Sequence, residues 1–409
     1  MSVAAAPPAP VRAFTSLRIP SFRWWFIAQI VSGSGGMAQM VGSAWLVLRV
    51  LHGGGLALGA VAACGFGPVL IGGAWAGARL SHADVRKALI GTQIAAGAIA
   101  AVLGVLVVTG AARLWLVLAL SLATGCVNAV DSPARQLYVV DLVGRDSVAS
   151  AVGLYEVIVN ASRVLGPASG GLILGVFGVA ACFFVNAASF AVPLAVLLRF
   201  RPPDRAQELS ARPRTVEALR AGLAYVRRTP EVAALLVMAA AAGMIFNTGT
   251  SVPVLATQTF GLGKAGLGAL TACFGVGAIP GGLVAAYAKR ERVAPHVRVL
   301  CLLTALAVLA LAVDPSRPLA FPAMALVGFL SIWMIALANT LAQLLPDASL
   351  RGPVMGLWTM MLPGLMPVTA LLTGAVTQYV GPREGYGIAG VFLAAAAVFG
   401  WRALAPPRQ

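Results

Sequence analysis

The chain has 409 residues, of which 59% are hydrophobic and only 10% are charged, and its formal net charge is +16 at pH 7. Soluble domains carry roughly 25% charged residues, so this composition excludes a soluble protein of this size, which would lack a polar surface. The apolar residues instead occur in runs of about 20, each long enough to cross roughly 30 Å of hydrocarbon as a helix. Lipid offers the backbone no hydrogen-bond partner, so these runs are predicted to be helices rather than strands.

Residues 1–22 are predicted to form a cytoplasmic tail, because they are rich in Ala and Pro and hold no apolar core before Trp24 that a cleaved signal peptide would need. Six transmembrane spans are predicted to follow, forming a first bundle over residues 23–200. They are placed at 23–49, 57–80, 86–109, 113–140, 148–176 and 179–199.

One long polar stretch comes next, a predicted cytoplasmic linker over residues 201–230 that is rich in Arg. Within it, Thr215–Arg228 is expected to form a short amphipathic helix or a solvated segment near anionic headgroups. A second bundle is predicted over residues 231–405, followed by a cytoplasmic tail at 406–409. Its six spans are placed at 231–258, 265–288, 296–313, 319–345, 353–379 and 385–405.

The distribution of the basic residues predicts the orientation of these spans. With both termini in the cytoplasm, five of the 29 Lys and Arg residues fall outside, two fall within helices, and the remaining 22 are cytoplasmic. This bias is the positive-inside rule, which explains the net charge without a nucleic-acid partner. Arg outnumbers Lys by 26 to 3, which suggests a GC-rich bacterial genome. We therefore expect a multi-pass protein of the bacterial inner membrane with both termini cytoplasmic.

The two halves of the chain resemble each other. Residues 58–64 read Leu-Gly-Ala-Val-Ala-Ala-Cys, and residues 267–273, at an offset of 209, read Leu-Gly-Ala-Leu-Thr-Ala-Cys. These segments lie in the second and eighth spans, which occupy equivalent places in the two halves. Internal repetition is typical of transporters in which two related bundles move around a central site. The sequence thus predicts an all-α integral membrane protein with 12 transmembrane helices in two pseudo-symmetric six-helix bundles.

Four charged side chains are predicted to lie at membrane depth in the first bundle. Asp131 and Arg135 are four residues apart on the fourth span and can pair on one face. Glu156, Asn160 and Arg163 form one polar stripe on the fifth span. A charge at mid-bilayer costs roughly 2.5–3.5 kcal/mol on insertion scales, so such residues mark a function or a pairing. The two acids are candidates for proton coupling, and the alternative is that both are permanent salt-bridge partners near the cytoplasmic gate.

Four motifs in the first half of the chain are those of a known family. They are Phe-Thr-Ser-Leu-Arg at 14–18, Asp-Ser-Pro-Ala-Arg-Gln at 131–136, Asn-Ala-Ser-Arg-Val-Leu-Gly-Pro-Ala-Ser-Gly-Gly at 160–171 and Phe-Val-Asn-Ala-Ala-Ser-Phe at 184–190. With them the chain resembles the major facilitator superfamily and, within it, the third drug:proton antiporter family, which includes macrolide-efflux and enterobactin-exporter relatives. The resemblance is strong over residues 14–200 and weaker beyond, where mainly span count and loop positions agree. It implies the major facilitator fold, a small-molecule substrate exchanged against protons, and a monomer among membrane lipids.

Residues 166–171 match the antiporter motif of the fifth helix in this family. Pro167 removes one helical hydrogen bond and can bend the span. Gly166 and Gly170 let a neighbouring backbone approach closely, and Gly171 completes the motif. The resemblance associates this motif with exporters rather than importers, and the alternative is ordinary small-residue packing.

The loop between the second and third spans departs from the family pattern, which is Gly-x-x-x-Asp-Arg-x-Gly-Arg-Arg. Here Ser81 replaces the acid and His82 replaces the first Arg. The family's Asp is thought to latch the outward-facing state, so the resemblance implies a weaker latch or one built from other groups. The loop residues that we assign to gating are Gly77, Asp84, Arg86 and Lys87.

The resemblance also implies a substrate cavity lined by the first, fourth, seventh and tenth spans, and often by the fifth, eighth and eleventh. Aromatic, Met and amide side chains there would suit a bulky, partly apolar molecule. Each of these residues taken alone could instead pack against a neighbour or face lipid. The candidate lining residues are Gln29, Ser32, Gln39, Tyr155, Asn160, Phe246, Asn247, Trp333, Asn339, Trp358 and Met361.

We therefore expect a secondary active transporter that exports an amphipathic small molecule, such as a drug, an antibiotic or a siderophore-like metabolite, by proton antiport. An uncoupled or importing facilitator of the same fold, or a receptor without transport, remains the alternative. An enzyme or a primary pump is not expected, because the chain has no phosphate loop and no His or Cys cluster. No cofactor and no metal are expected.

Overall fold

The computed structural model describes residues 15–80, 84–144, 147–201, 215–247, 249–287, 293–313, 316–362 and 364–404. Residues 1–14 and 406–409 of the predicted tails and residues 202–214 of the predicted linker therefore lie outside the described residues. The described chain is helical, with a 3₁₀ turn at Thr15–Arg18 before the first α-helix. Its helices are α1 Pro20–Trp45, α2 Gly55–Leu80, α3 Val85–Val108, α4 Leu114–Val143, α5 Val148–Val176, α6 Val179–Ser189, α7 Ala191–Arg199, α8 Thr215–Arg228, α9 Pro230–Phe246, α10 Ser251–Val254, α11 Lys264–Ala286, α12 Val293–Val313, α13 Arg317–Leu344, α14 Ala348–Met361, α15 Met366–Tyr379 and α16 Pro382–Gly400.

Within the described residues, nine helical segments are long and apolar enough to cross a membrane, or ten if the bent pair α8–α9 supplies one more. The nine correspond to predicted spans two to six and eight to eleven. Helices α1, α9–α10 and α16 occupy the places of the other three, which are shorter, broken or more polar. The all-helical membrane fold is confirmed, and the order of the helices is consistent with twelve crossings.

Three predicted spans are interrupted helices. The sixth span is divided into α6 and α7 at Phe190, and the seventh changes from α9 to α10 after Asn247. The eleventh stops at Met361 and resumes at Met366. The resumed helices α10 and α15 carry Pro253 and Pro367 in their first turn, where proline lacks only an N–H that would be unpaired anyway. Such breaks are tolerated at membrane depth where protein, rather than lipid, surrounds the backbone.

Helix α8 lies at 110° to α9 and does not extend the seventh span. It packs on α14, where a Cβ on Gly222 would come within 3.1 Å of Pro353. The hydroxyl of Tyr225 donates to the carbonyl of Leu345 at 3.3 Å. We call the end of the bundle that carries α8 the linker side, and the opposite end the far side.

The apolar core differs between the two bundles. The first bundle has a linker-side cluster that includes Trp25, Leu89 and Tyr138. Its far-side cluster is separate and includes Leu103 and Phe183. The second bundle has one continuous core, which extends to Val41, Leu174 and Cys182 of the first bundle. The gap between the two clusters of the first bundle leaves room for a polar layer in the linker-side half of its helices.

The two bundles meet along two seams in their far-side halves. At one seam α2 packs on α15, and a Cβ on Gly59 would lie 2.5 Å from the carbonyl oxygen of Ala370. At the other α5 packs on α11, and a Cβ on Gly171 would lie 2.7 Å from the Cα of Gly268. Gly59 and Gly268 are equivalent in the internal repeat, so the repeat places a glycine at the same kind of close approach in each half.

Candidate functional site

A buried carboxylate lies in the polar layer of the first bundle. Asp131 on α4 is only 4% exposed. Its Oδ1 accepts hydrogen bonds from Thr92 Oγ1 and Gln93 Nε2 on α3, each at 2.7 Å. Its Oδ2 pairs with the guanidinium of Arg135, one turn along the same helix. The predicted pairing of Asp131 with Arg135 is therefore present in the structure.

Arg135 extends this network to a third helix. Its Nη1 donates to Oε1 of Gln29 on α1, so α1, α3 and α4 are joined through one ion pair. The side chain of Arg135 is a quarter exposed, whereas its partner is almost fully buried. Desolvating an ion pair is costly unless further hydrogen bonds satisfy both groups, and Thr92, Gln93 and Gln29 supply them here.

The hydrogen bonds around Asp131 can be arranged in two ways. The hydroxyl of Thr92 has one proton but lies 2.7 Å from Asp131 Oδ1 and 2.9 Å from the carbonyl oxygen of Leu89. The Oε1 of Gln93 is buried and has no hydrogen-bond partner among the described residues. With Asp131 ionised, Thr92 and Gln93 both donate to it. With Asp131 protonated, Thr92 can donate to Leu89 and accept the one acid proton, while Gln93 Nε2 continues to donate to Oδ1.

The polar stripe of α5 faces the second bundle at Arg163. The guanidinium carbon of Arg163 lies 5.3 Å from the ring centroid of Phe246, at the end of α9. Phe246 in turn meets Phe274 of α11 edge-on at 6.1 Å. This cation–π contact joins the bundles at mid-depth. On the same helix Tyr155 is half exposed and Asn160 half-buried, while the side chain of Glu156 lies outside the described structure.

The glycines of the antiporter motif serve two different interfaces. Gly166 and Gly170 face α1 within the first bundle, where a Cβ on Gly170 would lie 2.8 Å from the Cα of Ala38. Gly171 faces Gly268 of α11 across the far-side seam, and Pro167 lies inside α5 beside it. The spacing of the motif thus allows α5 to pack closely on α1 of its own bundle and on α11 of the other.

Several predicted cavity residues are engaged in packing or in hydrogen bonds within one bundle. Gln39 accepts a hydrogen bond from Asn186 of α6 at 2.7 Å, and Asn247 donates to Thr369 of α15 at 2.7 Å. Ser32 is buried on α1. Trp358 is 3% exposed in the core of the second bundle, and Met361 packs on that core. In this conformer the five side chains are buried or contact neighbouring helices of their own bundle, and their role as cavity lining stays a prediction.

On helix α13, the predicted cavity residue Trp333 has a hydrogen-bond donor that is not used. The ring of Trp333 packs on Phe329 at 5.5 Å, but its Nε1 is buried without a hydrogen-bond partner in the described part of the chain. A buried indole N–H usually has a partner, so this donor is available to a bound molecule or water. One to two turns toward the linker side, Asn339 Oδ1 accepts from Gln343 Nε2 at 2.6 Å.

Sequence reasoning did not identify Thr92 and Gln93 as site residues. The signal for them is weak, namely two adjacent uncharged polar residues inside an otherwise apolar third span. Only the packing of α3 on α4 brings them to Asp131, and that packing cannot be read from spacing along one helix.

The predicted gating loop caps two helices in this structure. Asp84 Oδ1 accepts from the backbone N–H of Lys87 at 3.0 Å and so caps the N-terminus of α3. Arg86 Nε donates to the carbonyl of Leu197 at 2.7 Å, at the last turn of α7. Ser81 and His82 lie outside the described residues, as do the surroundings of Gly77.

Replacing Asp84 with alanine is expected to lower the free energy of unfolding by about 1 kcal/mol, because the cap of α3 is lost. The matched variant Lys87→Gln removes only an exposed ion pair of 3.6 Å, which contributes little. In detergent, the apparent Tm should fall by roughly 2 °C for Asp84→Ala. Equal values for the two variants would show that the capping bond does not stabilise α3.

The family match and the related proteins agree on one kind of protein. The family described as transmembrane secretion effector matches residues 11–408. Three relatives are the staphyloferrin A transporter of Staphylococcus aureus, the multidrug efflux pump Tap of Mycolicibacterium fortuitum and the enterobactin exporter EntS of Shigella flexneri. The staphyloferrin A transporter is 27% identical over 58% of this chain and 60% of its own length. The multidrug efflux pump is 25% identical over 87% of this chain and 88% of its own length, and the enterobactin exporter is 28% identical over 53% and 51%. Two of the three matches thus span little more than half of the relative.

Solved structures share the fold at low sequence identity. A bacterial homolog of the human lysosomal transporter Spinster, in an inward-facing conformation, has a TM-score of 0.73 at 15% identity and covers 94% of this chain and 97% of its own. A D-xylose–proton symporter has a TM-score of 0.71 at 13% identity and covers 96% and 99%. At these identities the comparison supports the fold alone.

Proposed function

This chain belongs to the transmembrane secretion effector family of the major facilitator superfamily, and from this membership we propose that it exports an amphipathic small molecule by proton antiport. The substrate class is a drug, an antibiotic or a siderophore-like metabolite, since relatives are described as transporters or exporters of such molecules. The protein is a multi-pass membrane transporter and not an enzyme. We propose the bacterial inner membrane as its location, with both termini in the cytoplasm, and a monomer as its working unit.

The observation that carries this proposal is the polar layer at Asp131. It lies between two apolar clusters of the first bundle, at a depth where charges are costly and mark function. Its hydrogen bonds fit both the ionised and the protonated acid, through Thr92 and Gln93. A group that must bind and release a proton during each cycle needs this property. Glu156, two turns from Arg163 on α5, is the second candidate for proton exchange.

Alternating access is supported by where the bundles touch. The seams at Gly59 and Gly171 both lie in far-side halves, and Arg49 Nη2 donates to the carbonyl of Thr257 at 2.9 Å between the far ends of the two bundles. We infer that this conformer is closed on the far side and gives access from the linker side. Rocking the bundles about mid-depth would open both seams together, as in transporters built from repeats.

The substrate is proposed to contact residues at mid-depth between the bundles. Arg163 and Phe246 meet there, Trp333 offers a donor without a partner, and Tyr155 presents a half-exposed ring. Aromatic surface with a few donors suits a bulky molecule that has both apolar and polar parts.

The proposal is tested by reconstituting the purified chain in vesicles with an imposed pH gradient and screening drugs and siderophores. We expect substrate accumulation that follows the gradient, together with substrate-dependent proton flux that Glu156→Gln reduces by roughly tenfold. Full proton flux in Glu156→Gln would remove Glu156 from the mechanism. Transport that ignores the gradient would instead identify an uncoupled facilitator, and binding without transport would identify a receptor.

A further inference from the structure

A groove of about 570 Å³ lies between α12 and α16 near the linker side, far from the polar layer. Its walls are mainly apolar and its mouth is cationic. The lining residues include one arginine and no acid. They are Leu302, Ala397, Val398, Phe399, Trp401 and Arg402.

A second arginine borders this groove. The guanidinium carbon of Arg298 lies 4.6 Å from the ring centroid of Trp401, and its Nη1 donates to the carbonyl of Trp401 at 3.2 Å. These two contacts fix the plane of the guanidinium against the end of α16. Its Nε is buried and has no hydrogen-bond partner among the described residues. Arg298 thus lies beside the groove through its contacts with Trp401, at the end that Arg402 lines, and its Nε donor is unused among the described residues.

The apolar part of the groove continues along the outside of the helix pair. Leu306 of α12 and Val391 of α16 are both exposed, as are Val398 and Phe399 nearer to the arginines. In a membrane protein, such a surface faces acyl chains. A tryptophan at its end marks the depth of the headgroups.

We propose that this groove binds one anionic phospholipid, with its phosphate at Arg298 and Arg402 and an acyl chain along the apolar walls. Arginine suits this role because its planar fork can donate two parallel hydrogen bonds to phosphate oxygens. Basic pockets between transmembrane helices recognise anionic headgroups in this way. A zwitterionic lipid would bring its own cation next to two arginines, so the site favours the anionic lipid. The proposal is independent of the transported substrate.

The test uses the full chain in a neutral detergent with equal amounts of phosphatidylglycerol and phosphatidylcholine of the same acyl chains. Native mass spectrometry should show preferential retention of phosphatidylglycerol. The double variant Arg298→Gln/Arg402→Gln should lower the ratio of retained phosphatidylglycerol to phosphatidylcholine by about tenfold. The matched double variant Arg227→Gln/Arg228→Gln removes two exposed charges of α8 on the same side and should leave the ratio within about twofold.

A second measurement leaves both arginines in place. The difference in fluorescence between the native chain and Trp401→Phe isolates one of the eight tryptophans. Lipids brominated on the acyl chain should quench this signal more strongly as phosphatidylglycerol than as phosphatidylcholine, and an equal concentration of inorganic phosphate should not prevent the quenching. Equal quenching by the two lipids, or an equal loss of retention in the two double variants, would overturn the proposal.

Discussion

Replacing Asp131 with asparagine is expected to lower substrate transport by roughly tenfold or more and to destabilise the folded chain. The change leaves Arg135 without its ionic partner beside an amide that cannot neutralise it. Breaking a buried pair costs about 3–5 kcal/mol, and we expect about 3 kcal/mol here because Arg135 is a quarter exposed. The apparent Tm in detergent should fall by roughly 5 °C.

The double variant Asp131→Asn/Arg135→Gln separates the structural role of the pair from its role in proton exchange. Both charges are gone, so at least half of the lost stability should return, as a double-mutant cycle would show. If Asp131 carries the proton, this variant should move substrate only down the substrate's own gradient and without substrate-dependent proton flux. A double variant that regains both stability and full proton flux would make the ion pair purely structural.

The fold could be predicted from the sequence because the membrane imposes it residue by residue. Long apolar runs must be helical in lipid, and the repeat at 58–64 and 267–273 indicates two related bundles. Mean hydropathy over a whole span did not show the breaks at Asn247 and between Met361 and Met366, although the sequence carries local signals at both, namely Asn-Thr-Gly-Thr-Ser at 247–251 and Pro-Gly at 363–364. A helix break depends on which backbone groups find partners in neighbouring helices, and mean hydropathy does not contain that information.

The candidate site could be predicted only in part, for a related physical reason. The pairing of Asp131 with Arg135 depends on spacing along one helix, so it was visible. The contribution of Thr92 and Gln93 depends on how α3 packs on α4, which spacing does not fix. Two predicted cavity tryptophans show the same limit of prediction from spacing along one helix. Trp333 and Trp358 were equivalent candidates, yet the second is turned into the core of its own bundle while the first keeps an unused donor at mid-depth.

Replacing Gly59 or Gly268 with leucine is expected to prevent closure of the far side and to lower transport by roughly tenfold. A Cβ on Gly268 would meet the Cα of Gly171 and come within 2.7 Å of the carbonyl of Pro167, and one on Gly59 would meet the backbone of Ala370. Backbone atoms cannot move aside as a flexible side chain can. Overpacking of this kind costs about 1–3 kcal/mol, which falls only on the conformer in which the seam is closed.

Gly67 provides a matched control on the same helix as Gly59, because nothing lies within 4 Å of a Cβ added there. Leucine favours the helix over glycine by about 1 kcal/mol, so all three changes stabilise the helix that carries them. A transport defect in Gly59→Leu and Gly268→Leu that is absent from Gly67→Leu must therefore come from the seam. Spin labels at the exposed far-side positions Val50 and Leu319 should move apart in the seam variants and not in Gly67→Leu. Unchanged distances in Gly59→Leu and Gly268→Leu would show that a larger side chain at these glycines does not hold the seams open. Since the two glycines are related by the repeat, a shift in only one of them would show that the bundles do not move as symmetric halves.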